Sequence, residues 1–132
     1  MPIGSHREYA DRHVVKVVTD ERGYALYFSR SSIPYGWRKG SGTALRHLGV
    51  YAYSRSSLLK FVSLPVGYLE RMEDLEQLRA LEHGLTILVI TVDEFNSIGV
   101  DRPEDLARVE KMMKKMKADR YDPAPRAAGR EI

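Results

Sequence analysis

The sequence predicts an α/β domain in which helices pack on a mixed β-sheet. Three observations predict it: β-branched runs early in the chain, helical periodicity in its second half, and an apolar run at 85–92 that precedes a last amphipathic segment. A length of 132 residues is one domain with room for a core. The chain has no cysteine, which excludes disulfides and thiol chemistry and agrees with a cytoplasmic location.

Three strands are predicted in the first half of the chain. The run HVVKVVTD (13–20) is short and β-branched, and YALYFSRS (24–31) alternates, so the ERG turn between them predicts a hairpin. The segment SSIPYGWRKGSGTA (31–44) contains proline, glycine and serine and is a predicted loop. The run LRHLGVYAYS (45–54) is the third predicted strand.

The second half predicts helices around one buried strand. A short helix covers SSLLKFVSLP (56–65), and a long helix covers YLERMEDLEQLRALEHG (68–84), where Gly84 stands at the expected C-terminal position. LTILVITV (85–92) is typical of a strand buried on both faces. RPEDLARVEKMMKKMKA (102–118) is the last predicted helix.

These elements give three predicted regions. Residues 1–12, which include GSH, are interpreted as disordered or as the remnant of an expression tag, residues 13–118 as the folded domain, and residues 119–132 as a flexible tail. No apolar run approaches the roughly 20 residues that span a bilayer, so no membrane association is expected.

The positive charge of the chain is only weak evidence for a nucleic-acid partner. The formal net charge is +3, and much of the excess lies in KMMKKMKADR (111–120). A basic run attracts phosphates, but no aromatic residue interleaves with these lysines, as a single-strand binder would require. A solvated helix face is the favoured interpretation, and no nucleic-acid partner is expected.

The third predicted strand offers a candidate binding surface. Side chains alternate along a strand, so one face is apolar and the other polar. The polar face carries His47, Gly49, Tyr51 and Tyr53, and the apolar face carries Leu48, Val50 and Ala52. An imidazole and two phenols can exchange hydrogen bonds with a polyhydroxylated ligand. An edge face with two amphipathic tyrosines and a solvated histidine explains the same spacing and is favoured by spacing alone.

Three further residues have two interpretations each. Arg30 stands at a strand end, where it suits bidentate binding of a carboxylate or phosphate, or is an exposed surface arginine. Glu76 and Gln77 interrupt the apolar stripe of the long helix. They either bind sugar hydroxyls or form its wet side, where Glu76 and Arg79 make an i,i+3 pair.

Asp101 is either a helix cap or a metal ligand. Asp101 and Glu104 flank the predicted start of the last helix in the manner of a capping box, with Pro103 in its first turn. The residue also follows the buried strand, and ligands of open α/β sheets gather at the carboxyl ends of strands. A lone aspartate is a weak Mg²⁺ site, because Mg²⁺ takes one or two carboxylates with water and phosphate.

Four motifs in order carry a family resemblance. The phrases VVKVVTDERGYALYFSRSSIPY, LRHLGVYAYSRSSLLKF, LEQLRALEHG and GVDRPEDLARVE resemble the C-terminal half of 3-deoxy-manno-octulosonate (Kdo) cytidylyltransferase, from about His13 to Glu110. This resemblance implies part of a nucleotide-diphospho-sugar-transferase-like fold. Members of the family are about twice as long, and their first half holds the CTP-binding loop and another magnesium-binding aspartate. The chain contains neither.

The resemblance implies a function and a set of site residues. It implies cytidylyl transfer from CTP to Kdo with Mg²⁺ as cofactor, in lipopolysaccharide synthesis. It assigns Arg30, His47, Tyr51, Glu76 and Gln77 to Kdo binding and Asp101 to metal binding. No catalysis by the chain alone is expected. The implied partner is a second copy or the missing N-terminal half. The alternative is a non-catalytic relative that serves self-association or regulation.

Overall fold

The computed structural model describes residues 1–38, 44–92, 106–107 and 109–114. The chain divides into two compact units, Met1–Phe95 and Asn96–Ile132. The first unit combines a small antiparallel sheet with short helices, so the predicted α/β class is confirmed. In the second unit, residues 106–107 and 109–114 are helical and lie inside the predicted last helix. Asp101 and the tail at 119–132 lie outside the described residues.

The sheet has the strand order β2-β1-β3. Strand β1 (Lys16–Thr19) pairs antiparallel with β2 (Ala25–Ser29), as the hairpin prediction required, and with β3 (Leu45–Arg46). The Asp20 carboxylate accepts the backbone N–H of both Arg22 and Tyr24, which closes the connecting turn. The hairpin that the ERG turn predicts therefore forms, and it supplies β1 and β2 to the sheet.

The third predicted strand is much shorter than expected. His47 still donates its N–H to the Val15 carbonyl at 2.9 Å, but residues 47–54 form no regular element. Gly49 adopts φ +68°, in the left-handed region that interrupts an extended backbone. The prediction of a strand over 45–54 is therefore wrong beyond Arg46, and the strict alternation of a polar and an apolar face does not apply.

The first twelve residues form a helix and core contacts in this structure, whereas the sequence predicts a disordered or tag-derived start. Helix α1 (His6–Ala10) begins at Ser5, whose hydroxyl accepts the N–H of Glu8. Ile3 donates its N–H to the Ala44 carbonyl and is buried with Tyr9, Trp37 and Ala44. Long-range apolar contacts that no local pattern reveals hold this segment.

The predicted long helix is two short helices. Helix α2 (Arg55–Ser63) forms as predicted, with Ser54 as N-cap, but α3 (Tyr68–Glu73) and α4 (Leu78–Glu82) are separate. Asp74 lies in the left-handed region at φ 53°, ψ 50°. The Arg30 guanidinium binds the carbonyls of Glu73 and Asp74, which a continuous helix would use for its own hydrogen bonds.

The predicted buried strand at 85–92 is buried on one side only. It makes a single bridge, between Tyr24 and Leu88, and its residues alternate between half-buried and exposed. Ile87 and Val89 pack on the core, whereas Leu88 is 58% exposed and Ile90 is 78% exposed. The prediction of burial on both faces is wrong for the unit that the structure describes.

The core lies between the sheet and the α3–α4 corner. Its buried members are Val17, Ala25, Phe28, Leu45, Leu75 and Leu78. Leu75 and Leu78 reach it from both sides of the turn that separates α3 from α4. Within the described residues, no helix has the length and apolar character that crossing a bilayer requires.

Candidate functional site

A cavity of about 710 Å³ opens between residues 47–54 and residues 85–92. Its floor includes Val17, Phe28 and Ala80, which belong to the sheet and to α4. The wall at 47–54 carries hydroxyl and imidazole groups, whereas the wall at 85–92 is almost entirely apolar. The irregular backbone after Arg46 matters here, because it places residues from both predicted faces of this stretch on one wall.

His47 and Tyr51 form the hydrogen-bonded centre of the polar wall. The Tyr51 hydroxyl lies 2.7 Å from His47 Nε2. Burial lowers the pKa of His47 below 6.5, and the α-ammonium of Met1 adds to that shift, so the imidazole is neutral at pH 7. Burial also raises the pKa of Tyr51, which keeps the phenol protonated. A neutral imidazole whose Nε2 accepts this proton carries its own proton on Nδ1.

These two rings belong to a longer aromatic row. Ring centroids separated by 5.2 to 6.0 Å join Phe28, His47, Tyr51, Tyr53 and Phe61 in that order. The guanidinium of Arg79 lies 5.1 Å from the Phe61 ring centroid and ends the row. The row connects the sheet to α2 and α4, so it fixes the orientation of the polar wall.

Glu76 borders the aromatic row. Its negative charge contributes, after burial, to raising the pKa of Tyr51 and of Tyr53. Its side chain is 70% exposed, and a carboxylate oxygen lies 3.6 Å from Arg79 Nη2. The predicted i,i+3 pair therefore exists, and Glu76 itself does not line the cavity.

Gln77 is buried beside the same corner. It is 8% exposed, and its Nε2 has no hydrogen-bond partner in the described part of the chain. Ala80, three residues further on the same helical face, lines the cavity floor. Gln77 itself does not line the cavity, and a buried amide with unused donors is costly unless something accepts them.

Arg30 is not brought together with His47 and Tyr51. It is absent from the cavity lining, and its guanidinium donates to the carbonyls of Arg12, Glu73 and Asp74. Its own N–H donates to the Glu73 carboxylate at 2.8 Å. In this structure Arg30 therefore holds the α3–α4 corner, next to Glu76 and Gln77.

Sequence reasoning missed two groups. The hydroxyl-bearing residues Ser54 and Ser57 line the cavity, although the sequence places Ser54 only at the end of the third predicted strand and Ser57 only in the short helix. Lys16 is fully buried, and its ammonium donates to three backbone carbonyls. The serines had a local signal, since they directly follow the tyrosines of YAYS. The lysine had none, because VVKVV is an ordinary alternating strand.

The described residues do not assemble a metal site. Among them, no three histidine, aspartate or glutamate side chains converge to hold an ion. Asp101 lies outside this part of the chain, so its predicted metal role stays a prediction. The donor set described here does not fit Mg²⁺ by itself.

A family model described as Cytidylyltransferase matches residues 1–87. The chain belongs to the cytidylyltransferase family. The match includes the first twelve residues, which agrees with their ordered helix and core contacts. It also contains His47, Tyr51, Glu76 and Gln77, so these candidate residues lie inside the matched region.

Similar proteins confirm the resemblance derived from the four motifs. The chain is 52% identical over 109 residues to 3-deoxy-manno-octulosonate cytidylyltransferase of Solibacter usitatus, a match that covers 82% of this chain and 43% of the relative. It is 49% identical over 106 residues to 8-amino-3,8-dideoxy-manno-octulosonate cytidylyltransferase of Shewanella baltica, covering 80% of this chain and 43% of that relative.

A solved structure shows the same fold. The chain superposes on CMP:2-keto-3-deoxy-manno-octonic acid synthetase complexed with CTP, with a TM-score of 0.76 and 40% identity. This match covers 85% of the chain and 46% of that structure. The chain thus spans less than half the length of the relatives that it matches.

Proposed function

We propose that this chain is the sugar-binding part of a cytidylyltransferase that couples CTP to Kdo. The observation that carries the proposal is the polar wall of the cavity, where His47 and Tyr51 form a hydrogen-bonded pair beside Tyr53. This wall lies within the stretch that matches the Kdo-type relatives at about half identity. Cytidylyl transfer and the substrates CTP and Kdo are part of the same proposal.

The wall suits a polyhydroxylated acid. Because Tyr51 donates its proton to His47 Nε2, its oxygen is left to accept and the His47 Nδ1–H to donate, while the Tyr53 hydroxyl can do both. Ring faces of the aromatic row cover the apolar side of a pyranose, while the Glu76 carboxylate accepts from its hydroxyls. Gln77 enters the proposal because its buried amide has donors to spare.

Arg30 and Asp101 complete the proposed set. Arg30 would bind the sugar carboxylate, for which its guanidinium must leave the carbonyls of Glu73 and Asp74. Asp101 is proposed as a ligand of Mg²⁺, which neutralises phosphate charge when it is bound. The described residues supply no further ligand set, so we route no step through the metal.

Sugar binding by the chain itself tests the proposal. Isothermal titration with Kdo should show saturable binding, and N-acetylneuraminate should bind more weakly. Tyr51→Phe should weaken Kdo binding by about 2- to 10-fold, the worth of one hydrogen bond. Tyr35→Phe is the matched control, because Tyr35 is fully exposed and lies outside the cavity lining.

A second pair of variants tests the imidazole. His47→Gln should weaken Kdo binding, whereas His13→Gln, at an exposed position, should not. CTP with Kdo should release no pyrophosphate with this chain alone. A folded chain that ignores Kdo at millimolar concentration, or equal affinities for the Tyr51 and Tyr35 variants, would refute sugar binding and favour a non-catalytic self-association module.

A further inference from the structure

The stretch that carries the two phenols has little backbone support. Residues 48–53 make no backbone–backbone hydrogen bond with the described part of the chain. Their side chains are held instead by ring contacts: the Tyr51 and Tyr53 centroids lie 6.0 Å apart, and the Tyr53 and Phe61 centroids lie 5.9 Å apart. Both pairs are stacked, with an angle of 29° between the ring planes. The places of the two hydroxyls therefore depend on what holds the row of rings.

The two ends of the aromatic row are held in different ways. At the sheet end, Phe28 is 1% exposed and packs in the core, and its ring meets His47 edge-on. At the helix end, Phe61 is the one buried residue of α2, whose other apolar side chains are exposed. Core packing thus fixes the first end, whereas the second end needs a contact of its own on the Phe61 ring.

Arg79 supplies that contact, and Glu70 holds Arg79 in place. The guanidinium lies 5.1 Å from the Phe61 ring centroid. It binds the Glu70 carboxylate through two atoms, Nε at 2.8 Å and Nη2 at 2.5 Å, and both side chains are largely buried. The same carboxylate accepts the Gly67 N–H at the start of α3. A two-point contact fixes the plane of a guanidinium, which a lysine ammonium cannot reproduce.

We propose that Arg79 is a positioning residue for sugar binding, which it supports through the Phe61 ring. This inference rests on the proposed function. Arg79 does not line the cavity, so it acts on the sugar through other side chains. It holds Phe61 against Tyr53, and its Nη2 also lies 3.6 Å from the Glu76 carboxylate. One guanidinium, fixed by Glu70, therefore sets the positions of two groups of the proposed sugar site.

Titration of variants of the chain with Kdo tests this role. Arg79→Lys keeps the charge but loses the two-point contact and the planar group over the ring, so it should weaken Kdo binding by about 3- to 10-fold. Arg71→Lys is the matched control and should weaken it less than about twofold, because Arg71 is exposed and donates to the Val66 carbonyl. Phe61→Leu removes the ring through which Arg79 acts. The double variant should therefore bind within about twofold of the weaker single variant.

The ring signals of Tyr51 and Tyr53 give a measurement that needs no sugar. In NMR spectra of the folded chain, Arg79→Lys should shift these signals, and Arg71→Lys should leave them in place. A role in stability alone would lower the urea midpoint without moving the signals of the folded state. Glu70→Gln keeps the guanidinium and removes the charge of its partner. It should shift the same signals and weaken Kdo binding, and it replaces Arg79→Lys if that variant does not fold.

Three results would each overturn the inference. The first is equal Kdo affinity of the Arg79 and Arg71 variants. The second is a double variant in which the losses of Arg79→Lys and Phe61→Leu multiply, since the two side chains would then act independently. The third is unchanged tyrosine signals in the folded variants. A chain without any substitution that does not bind Kdo would refute the proposed function, and this inference with it, whereas binding by that chain together with one of the three results refutes the inference alone.

Discussion

Replacing Lys16 by methionine should destabilise the fold far more than an ordinary strand substitution. Lys16 has 0% relative exposure, and its Nζ donates to the carbonyls of Asp11, Val14 and Arg30 at 2.9, 2.6 and 2.6 Å. Burial lowers the pKa of Lys16 below 10.5, against the opposing effect of the nearby Asp11 and Glu73 carboxylates. Methionine keeps the approximate volume and removes the three donors.

The size of this loss in stability follows from the carbonyls that no longer have a lysine donor. The Asp11 carbonyl also accepts the Val14 N–H, but those of Val14 and Arg30 have no second donor among the described residues. Two unsatisfied, partly buried carbonyls cost up to about 1–3 kcal/mol each. Removal of the buried ammonium returns part of that, because its desolvation opposes folding. We therefore expect a loss of about 2–4 kcal/mol.

Urea unfolding at pH 7, followed by tyrosine and tryptophan fluorescence, measures this loss. The midpoint should fall by about 1 M or more for Lys16→Met, given the usual denaturant dependence of small domains. Lys60→Met on the exposed side of α2 is the matched control and should change the stability by less than about 0.5 kcal/mol. If both variants unfold at the same urea concentration, the hydrogen bonds of the buried ammonium do not stabilise the fold as its geometry implies.

Three further predictions concern the site wall and the α3–α4 corner. The folded state raises the pKa of Tyr51, so the contribution of Tyr51 to stability is complete below pH 10 and is lost as the pH rises through the folded pKa. The urea midpoint of the chain should therefore fall at alkaline pH. Tyr51→Phe should reduce this fall, and Tyr35→Phe should not. The folded state lowers the pKa of His47, so the contribution of His47 to stability is present above pH 6.5 and is lost as the pH falls through the folded pKa. NMR titration of the His47 ring should show the lowered pKa. His47→Gln should reduce the fall of the urea midpoint at acid pH, and His13→Gln should not. Asp74 has φ 53°, a conformation that suits glycine and disfavours valine. Asp74→Gly should therefore keep the free energy of unfolding within about 1 kcal/mol, while Asp74→Val should lower it by about 1–3 kcal/mol. Equal urea midpoints for the two variants would show that the left-handed turn does not separate the helices.

The parts of the fold that local patterns predict are those whose contacts are local. The β1–β2 hairpin closes through Asp20, four residues from its partner Tyr24, and α2 begins at a serine that caps it. The helical periodicity of 68–84 predicts one long helix, and its leucines do reach the core. Its break at Asp74 could not be predicted, because the cause is Arg30, more than forty residues earlier in the chain.

The candidate site shows the same division. His47, Tyr51 and Tyr53 were predicted to share a surface because they alternate, and they do share one cavity wall. The reason differs from the prediction, since the backbone turns at Gly49 instead of continuing as a strand. Spacing located the residues, but the conformation that brings Leu48 and Val50 to the same cavity depends on a glycine in the left-handed region.

The buried polar network explains why one cavity wall is fixed while the other is open. Lys16 pairs in register with Arg46, directly before His47, and its ammonium also binds the Arg30 carbonyl. The Glu73 carboxylate accepts the Ser29 hydroxyl and the Arg30 N–H, just ahead of Glu76 and Gln77. One set of hydrogen bonds thus holds both the start of the polar wall and the α3–α4 corner in place. The wall at 85–92 shares none of these bonds and meets the sheet at one bridge, so the fold determines the position of this wall less than that of the wall at 47–54.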